Sequence, residues 1–229
     1  MMNIRVAIDG PAGAGKSTVS REVARHLGFV YLDSGAMYRA VAYAALSTGI
    51  ALDDANALTA IANEIQIAFD QAVPPTVFLN GSDVTSDIRT PEIGTAASMV
   101  SQVPGVRVAM VRQQQSLGAV DSIVMEGRDI GTVVFPDAEI KIYLTASVSE
   151  RAKRRAAELS AAGQVVNLDD IECQISERDY RDMHRDDSPL CVATGAWELN
   201  TDGISIDHVI AFSAADQVNC VSSDQDIGT

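Results

Sequence analysis

One short stretch constrains this chain more than any other: Gly10-Pro11-Ala12-Gly13-Ala14-Gly15-Lys16-Ser17, a complete G-x-x-x-x-G-K-[ST] pattern. The apolar run Val6-Ala7-Ile8 precedes it, and Val19, Val23 and Leu27 follow at helical spacing. A strand, a glycine-rich turn and a helix are therefore predicted in that order. Glycines let successive N–H groups curl toward an anion without a Cβ clash. The helix adds its dipole and its free N–H groups. Lys16 can reach the β- and γ-phosphates of a nucleotide, and the Ser17 hydroxyl can ligate Mg²⁺. A chance match in a chain of this length is expected on the order of once in a hundred. The residues from Gly10 to Ser17, with Thr18, are thus read as an ATP site.

Such a loop fits several chemistries. The guanine-reading N-K-x-D of GTPase switches is absent, and 229 residues are too few for the large motor ATPases. Small kinases remain, so the acceptor becomes the question. The formal charge of −14 argues against nucleic acid or anionic membrane as a partner. No apolar run approaches the roughly 20 residues that span a bilayer. The start, Met1-Met2-Asn3-Ile4-Arg5, enters a strand pattern at once and leaves no room for a signal peptide, so a cytoplasmic location is expected. Cys173, Cys191 and Cys220 are widely spaced, and His26, His184 and His208 have no ligand spacing, so neither disulfides nor a zinc site is expected. Of the 17 basic residues only Lys16, Lys141 and Lys153 are lysines. That bias reflects either genomic composition or bidentate phosphate clamps, for which arginine is the better residue.

Strand and helix patterns alternate along the chain, which predicts an α/β fold with a doubly wound parallel sheet of about five strands. Further strands are expected at Phe29-Val30-Tyr31-Leu32, at Ile123-Val124-Met125-Glu126, over 139–144, and near Glu198-Leu199-Asn200. A helix is expected from Met37 to Leu46. The region from about 53 to 103 breaks the pattern. Leu58, Ile61 and Ile65 suggest a helix, Asn80-Gly81 between β-rich runs suggests a hairpin, and Thr90-Pro91 suggests a second helix start. It reads as an insert in a single domain over 1–221. Ser147 with Glu150 fits a capping box for a helix running to Gly163, and Asn167 should cap another reaching about Arg185. A last helix from about Ile206 and a polar tail over 222–229 complete the expectation.

Two further blocks are more specific than the loop. They are Asp33-Ser34-Gly35-Ala36-Met37-Tyr38-Arg39 and Glu126-Gly127-Arg128-Asp129-Ile130-Gly131-Thr132, and Glu177-Arg178-Asp179-Tyr180-Arg181-Asp182 accompanies them. With these, the chain resembles the bacterial cytidylate kinases from about Ile4 to Ile210. Nothing in the sequence suggests more than a monomer, and the resemblance implies transfer of the γ-phosphoryl of ATP to CMP or dCMP. It also implies a monophosphate-binding insert and a short helical lid at about 147–166. By the same resemblance, Lys16, Arg128 and Arg178 would be catalytic, and Arg39 and Arg128 would hold the acceptor's 5′-phosphate. Ser98, Arg107 and Asp129 would read cytosine with Arg185 close by. Asp182 would meet the sugar hydroxyl, and Ser34 and Tyr38 would line the pocket. Arg154 lies in the basic run Arg151-Lys153-Arg154-Arg155, where the family carries its lid over ATP; a charged outer helix face explains that run as well.

Elementary chemistry agrees with the pocket. A carboxylate accepts from the cytosine amino group and an arginine donates to N3 and O2, whereas uracil would leave Asp129 unpaired. At 100° per residue Arg178, Asp182 and Arg185 share one stripe with Arg181 beside it, although a solvated face of i,i+4 ion pairs gives the same spacing. Asp33 or Glu126 could orient Mg²⁺ through water. Many relatives have aspartate where this chain has Glu126, and the segment Asp186-Asp187-Ser188-Pro189 is more acidic than a nucleotide neighbour is expected to be. Two other readings fit the loop: a different small-molecule kinase, and a nucleotide-binding regulator without turnover.

Overall fold

The computed structural model describes residues 3–72, 74–161 and 163–204. Five strands, β1 (Arg5–Asp9), β2 (Val30–Asp33), β6 (Ile123–Gly127), β7 (Ile140–Thr145) and β8 (Trp197–Asn200), form one sheet in the order β2-β6-β1-β7-β8. Every pairing in it is parallel, and Asp9 of the central strand stands opposite Gly127 on one side and Tyr143 on the other. Alternation along the strands sends Ala7, Leu32 and Met125 into one core and Val6, Ile8, Tyr31, Val124 and Ile142 into a second. Helix α1 (Lys16–Leu27) covers the second core through Val19, Val23 and Ala24. Helix α2 (Ser34–Ser47) covers the first through Met37, Ala40 and Val41. This is the doubly wound sheet that the alternating pattern predicts. Its parallel strands place both strand-end loops and helix starts along one edge.

Helix α2 begins three residues earlier than expected. Ser34 and Gly35 carry no apolar signal, yet Ser34 Oγ donates to the Glu126 carbonyl at 2.6 Å and ties that first turn to β6. The insert contains α3 (Ala55–Glu64), a small antiparallel sheet of β3 (Ile67–Phe69), β4 (Val77–Leu79) and β5 (Ser82–Asp83), and α4 (Pro91–Val100). Asn80 and Gly81 turn between β4 and β5 with φ of 50° and 84°, the left-handed conformations of a tight hairpin. Thr90 Oγ1 caps α4 by accepting from the Ile93 N–H at 3.2 Å.

A fifth helix, α5 (Pro104–Gly118), packs against α3 and was not expected from the pattern. Arg107 and Gln114 take buried positions among Val106, Ala109 and Met110, so its inward face is not uniformly apolar. Periodicity of apolar residues alone therefore misses it.

Helix α6 (Val148–Ala161) is capped by Ser147, whose Oγ accepts from the Glu150 N–H at 3.2 Å. Helix α7 (Leu168–His184) is capped by Asn167 Oδ1, which accepts from the Asp169 N–H at 3.1 Å. Arg185 falls just past the end of α7 in extended backbone rather than within it. The helix expected from Ile206 and the polar tail lie outside the described residues. Among the described residues no helix is long and apolar enough to cross a membrane.

Candidate active site

The glycine-rich loop leaves β1 and enters α1 as its residues require. Gly10 has φ of 144°, and a Cβ there would stand 1.9 Å from the Leu144 carbonyl oxygen, so the loop lies flat on β7. Lys16 is buried, and its Nζ donates to the Pro11 carbonyl at 2.7 Å across the loop. Burial first, and the neighbouring Arg128 next, push the ammonium down to about 7 against the pull of Glu126 and Asp9. An arriving phosphate would supply the anion this group lacks.

Beside the loop, Ser17 Oγ donates to Glu126 Oε2 at 3.0 Å, and the Tyr31 hydroxyl donates to Glu126 Oε1. Burial, with Asp33 as a like charge nearby, holds the Glu126 carboxyl above its ordinary range. The longer stem of glutamate thus still places Glu126 Oε2 within hydrogen-bond reach of Ser17. Ser17, Asp33 and Glu126 offer oxygen only, a donor set suited to a hard cation shared with phosphates. Among the described residues no group of three or more His, Cys, Asp or Glu side chains could hold a metal by itself. Mg²⁺ fits here as a partner of bound ATP, since such ions need only one or two protein carboxylates.

Next to the loop opens a cavity of about 250 Å³, reached by α2, α4, α5, the β6 end and α7. Ser34, Tyr38, Arg39, Ser98, Arg107, Arg128, Asp129, Arg178, Asp182 and Arg185 all line it, as do Lys16, Ser17, Asp33 and Glu126. These residues come from separate parts of the chain, and the fold brings them to one space.

At one end Arg107, 2% exposed, donates through Nη2 to Asp129 Oδ2 and through Nη1 to the Ser101 carbonyl at 3.3 Å. Its guanidinium carbon lies 5.7 Å from the centre of the Tyr38 ring. Arg185 Nη2 stands 3.8 Å from Asp129 Oδ1. The acidic segment after α7 joins this end: Arg185 Nε donates to the Ser188 carbonyl at 2.6 Å, and Asp187 stands 3.9 Å from Arg107 Nε. Asp187 thus stands against Arg107 instead of facing the cavity alone. Burial raises the Asp129 carboxyl, and Arg107 and Arg185 oppose that rise.

Arginines crowd the other end. Arg128 Nε pairs with Asp182 Oδ2 at 3.0 Å, and Arg39 Nη1 donates to the Ile88 carbonyl at 3.2 Å. Burial, then the repulsion of Arg128, lowers Arg178 to about 10. Arg178 Nε, Arg185 Nη2 and the Tyr38 hydroxyl are buried without a hydrogen-bond partner. Buried donors of this kind are costly unless something polar completes them. An anion with hydrogen-bonding groups would do so here.

A wider cleft of about 720 Å³ lies between the loop, the insert and α6–α7, with Arg39, Arg89, Arg155, Arg178 and Arg181 along it. The basic run of α6 divides. Arg155 lines this cleft and Lys153 is exposed. Arg154 reaches neither cavity wall. It donates to the Thr201 Oγ1 and carbonyl at 3.1 and 2.7 Å and lies beside Gly15. Arg151 is not an outer-face residue at all. It is buried, donating to Asp179 Oδ2 at 2.6 Å, to the Ala146 carbonyl at 2.9 Å and to the Ala12 carbonyl in the loop at 3.1 Å. Sequence reasoning missed this tie because Arg151 sits among surface cations and nothing in the spacing separates it from them.

Comparison with known proteins agrees with this architecture. A family model described as "Cytidylate kinase" matches residues 6–219. A protein of Ligilactobacillus salivarius named cytidylate kinase is 49% identical over 208 residues, covering 90% of this chain and 93% of that one. A cytidylate kinase of Desulfitobacterium hafniense is 44% identical over 208 residues, covering 91% of this chain and 90% of the other. A bifunctional pantoate ligase/cytidylate kinase of Trichormus variabilis is 53% identical over 209 residues. This chain spans only 39% of that protein's length, about two fifths. A solved structure of an uncharacterized protein from Eubacterium ventriosum shares the fold, with a TM-score of 0.52 at 12% identity over 97% of this chain and 99% of that one. With the family's pattern matched over nearly its whole described length, this chain belongs to the cytidylate kinase family.

Proposed function

We infer that the chain transfers the γ-phosphoryl of MgATP to the 5′-phosphate of CMP or dCMP, giving CDP or dCDP and ADP. The observation that carries this reading is the buried Arg107–Asp129–Arg185 group at one end of a cavity whose other end holds Arg39, Arg128 and Arg178 beside Lys16. A carboxylate flanked by arginines matches the amino donor and the ring acceptors of cytosine. The opposite end matches a dianionic phosphate. Family membership and the two full-length relatives named cytidylate kinase support the same acceptor.

In the reaction an acceptor phosphate oxygen forms a bond to the γ-phosphorus as the bond from that phosphorus to the β–γ bridging oxygen breaks. The acceptor oxygen is already anionic, so no strong base is required. Lys16 and the loop N–H groups hold the donor phosphates, and Arg39 and Arg128 hold the acceptor phosphate. Arg178 lies close to Arg128 and stabilises charge on the transferring group. Asp182 orients Arg128 and takes the sugar hydroxyl, while Ser34, Tyr38 and Ser98 wall the acceptor. Arg154, beside Gly15, belongs to the nucleotide end of the loop. Ser17 with Glu126, and Asp33 through water, would hold Mg²⁺, which neutralises phosphate charge when it arrives with ATP. We place the protein in the cytoplasm as a monomer acting on free nucleotides; its charge of −14 supports small nucleotides over polynucleotides.

The test is ADP release with MgATP against CMP, dCMP, UMP, AMP, GMP and shikimate. Turnover greatest with CMP and dCMP is expected. Turnover with a different acceptor alone would keep a kinase of this fold and sink the cytosine reading, and nucleotide binding without turnover would leave a regulator.

A further inference from the structure

Asp9 ends the central strand, one residue before the glycine-rich loop, and is 3% exposed. None of the roles above falls to it. Its Oδ1 accepts the Ile130 N–H at 2.9 Å, and its Oδ2 accepts the Gly131 N–H at 2.7 Å. Those two amides directly follow Asp129 and open the single π-helical turn Ile130–Val134. On the other side of that turn the Asp129 carbonyl accepts from Val133 and Val134 at 2.9 and 3.2 Å. The backbone bearing the Asp129 carboxylate is therefore held between its own turn and the Asp9 side chain.

We propose that Asp9 is a positioning residue for base recognition, fixing the Asp129 carboxylate relative to the loop that holds ATP. The inference rests on the reading of the chain as a CMP kinase. A carboxylate is the one short side chain with two acceptor oxygens and no donor, so it satisfies both buried amides at once. Asparagine has nearly the same shape but offers one acceptor and turns an NH₂ toward the other amide. One amide then loses its partner and faces another donor, and the 129–131 backbone must move. Base reading depends on hydrogen-bond geometry at Asp129, whereas phosphate holding by arginines tolerates a small shift. Asp9 thus acts on which base is accepted more than on whether phosphate is transferred. Burial raises its carboxyl to about 6, which leaves it ionised at neutral pH.

The experiment compares kcat and KM of the full chain and its Asp9→Asn variant for CMP and UMP at saturating MgATP, and the KM for ATP. The expected result is a fall of about tenfold in the CMP-to-UMP ratio of kcat/KM, with the KM for ATP little changed. Equal losses for the two acceptors, or a loss seen chiefly in the KM for ATP, would mean a merely structural role and overturn the proposal. If Asp9→Asn does not fold, Gly131→Ala replaces it. Its methyl group would meet Ala193 Cβ at 3.2 Å and touch Asp9 Oδ2 at an ordinary 3.4 Å, so relief of the Ala193 contact shifts the turn against the carboxylate by a few tenths of an ångström. The same drop in ratio is expected, and an unchanged ratio overturns the proposal. A wild-type chain with no preference for CMP over UMP sinks the functional reading and this inference with it, whereas a wild-type preference retained by the variant sinks this inference alone.

Discussion

Replacing Arg151 by methionine tests whether one buried cation holds three parts of the molecule together. Arg151 and Asp179 are 3% and 7% exposed, and the guanidinium is shared among the Asp179 carboxylate, the Ala146 carbonyl and the Ala12 carbonyl of the phosphate loop. Asp179 Oδ1 already lacks a hydrogen-bond partner, so Arg151→Met strands the entire carboxylate in a buried place. Breaking a buried pair from one side costs about 3–5 kcal/mol. In a protein of this size each kcal/mol lowers Tm by about 2–4 °C, so the expected fall is roughly 6–20 °C. Arg151→Met with Asp179→Leu removes both charges and should recover most of that loss. Urea unfolding followed by circular dichroism, with calorimetry, measures both variants. A loss below about 1 kcal/mol for the single variant would put the pair in the class of solvated surface bridges and refute the reasoning. So would a double variant no more stable than the single one.

Asp129→Asn should lower kcat/KM for CMP by about tenfold to a hundredfold while UMP loses less, as steady-state rates on both acceptors would reveal; equal losses would remove base reading from this residue. The carboxyl of Asp9 is raised from 3.8 to about 6 in the folded state, so the folded chain binds its proton more tightly than the unfolded one. Its contribution to stability is full below about pH 4 and falls by roughly 3 kcal/mol as pH rises through 6. Urea midpoints of the wild type should therefore fall relative to those of Asp9→Asn between pH 4 and 7, and parallel curves would contradict it. Glu126→Gln keeps the shape but lowers the charge beside Ser17. The Mg²⁺ concentration for half-maximal rate at fixed ATP should rise severalfold, and an unmoved Mg²⁺ titration would take Glu126 out of the metal's surroundings.

The frame of the molecule was readable where burial and apolar character coincide. Val6 and Ile8, Ile123 to Met125 and Ile140 to Leu144 are strands buried on both faces, and they read as such without further help. Helix α5 was hidden because Arg107 and Gln114 occupy inward positions, and the same two facts explain each other: a helix that lends a cation to a cavity cannot be apolar along that face. The ten cavity-lining residues were legible through resemblance to a family, and only Arg178, Asp182 and Arg185 also through helical spacing, since positions as distant as Arg39 and Arg178 come to one cavity only after folding. Asp9 and Arg151 were illegible for a different reason. Each works by accepting from or donating to backbone atoms, and backbone partners leave no trace in residue identity.

The apolar cluster on the insert side of the sheet is continuous. Leu58, Val77, Ile88 and Ile93 of the insert share it with Ala7, Leu32 and Met125 of the strands. Separating the insert from the sheet would expose the interior of both, so the two should unfold as one cooperative unit, with amide exchange in β4 as slow as in β6. The pair α6–α7 is built otherwise: few of its residues are buried, and they include Arg151 and Asp179. The Arg151–Asp179 pair joins α6 to α7, so their amides should exchange faster than those of β4 and β6, in a layer held together by a charge pair more than by oil.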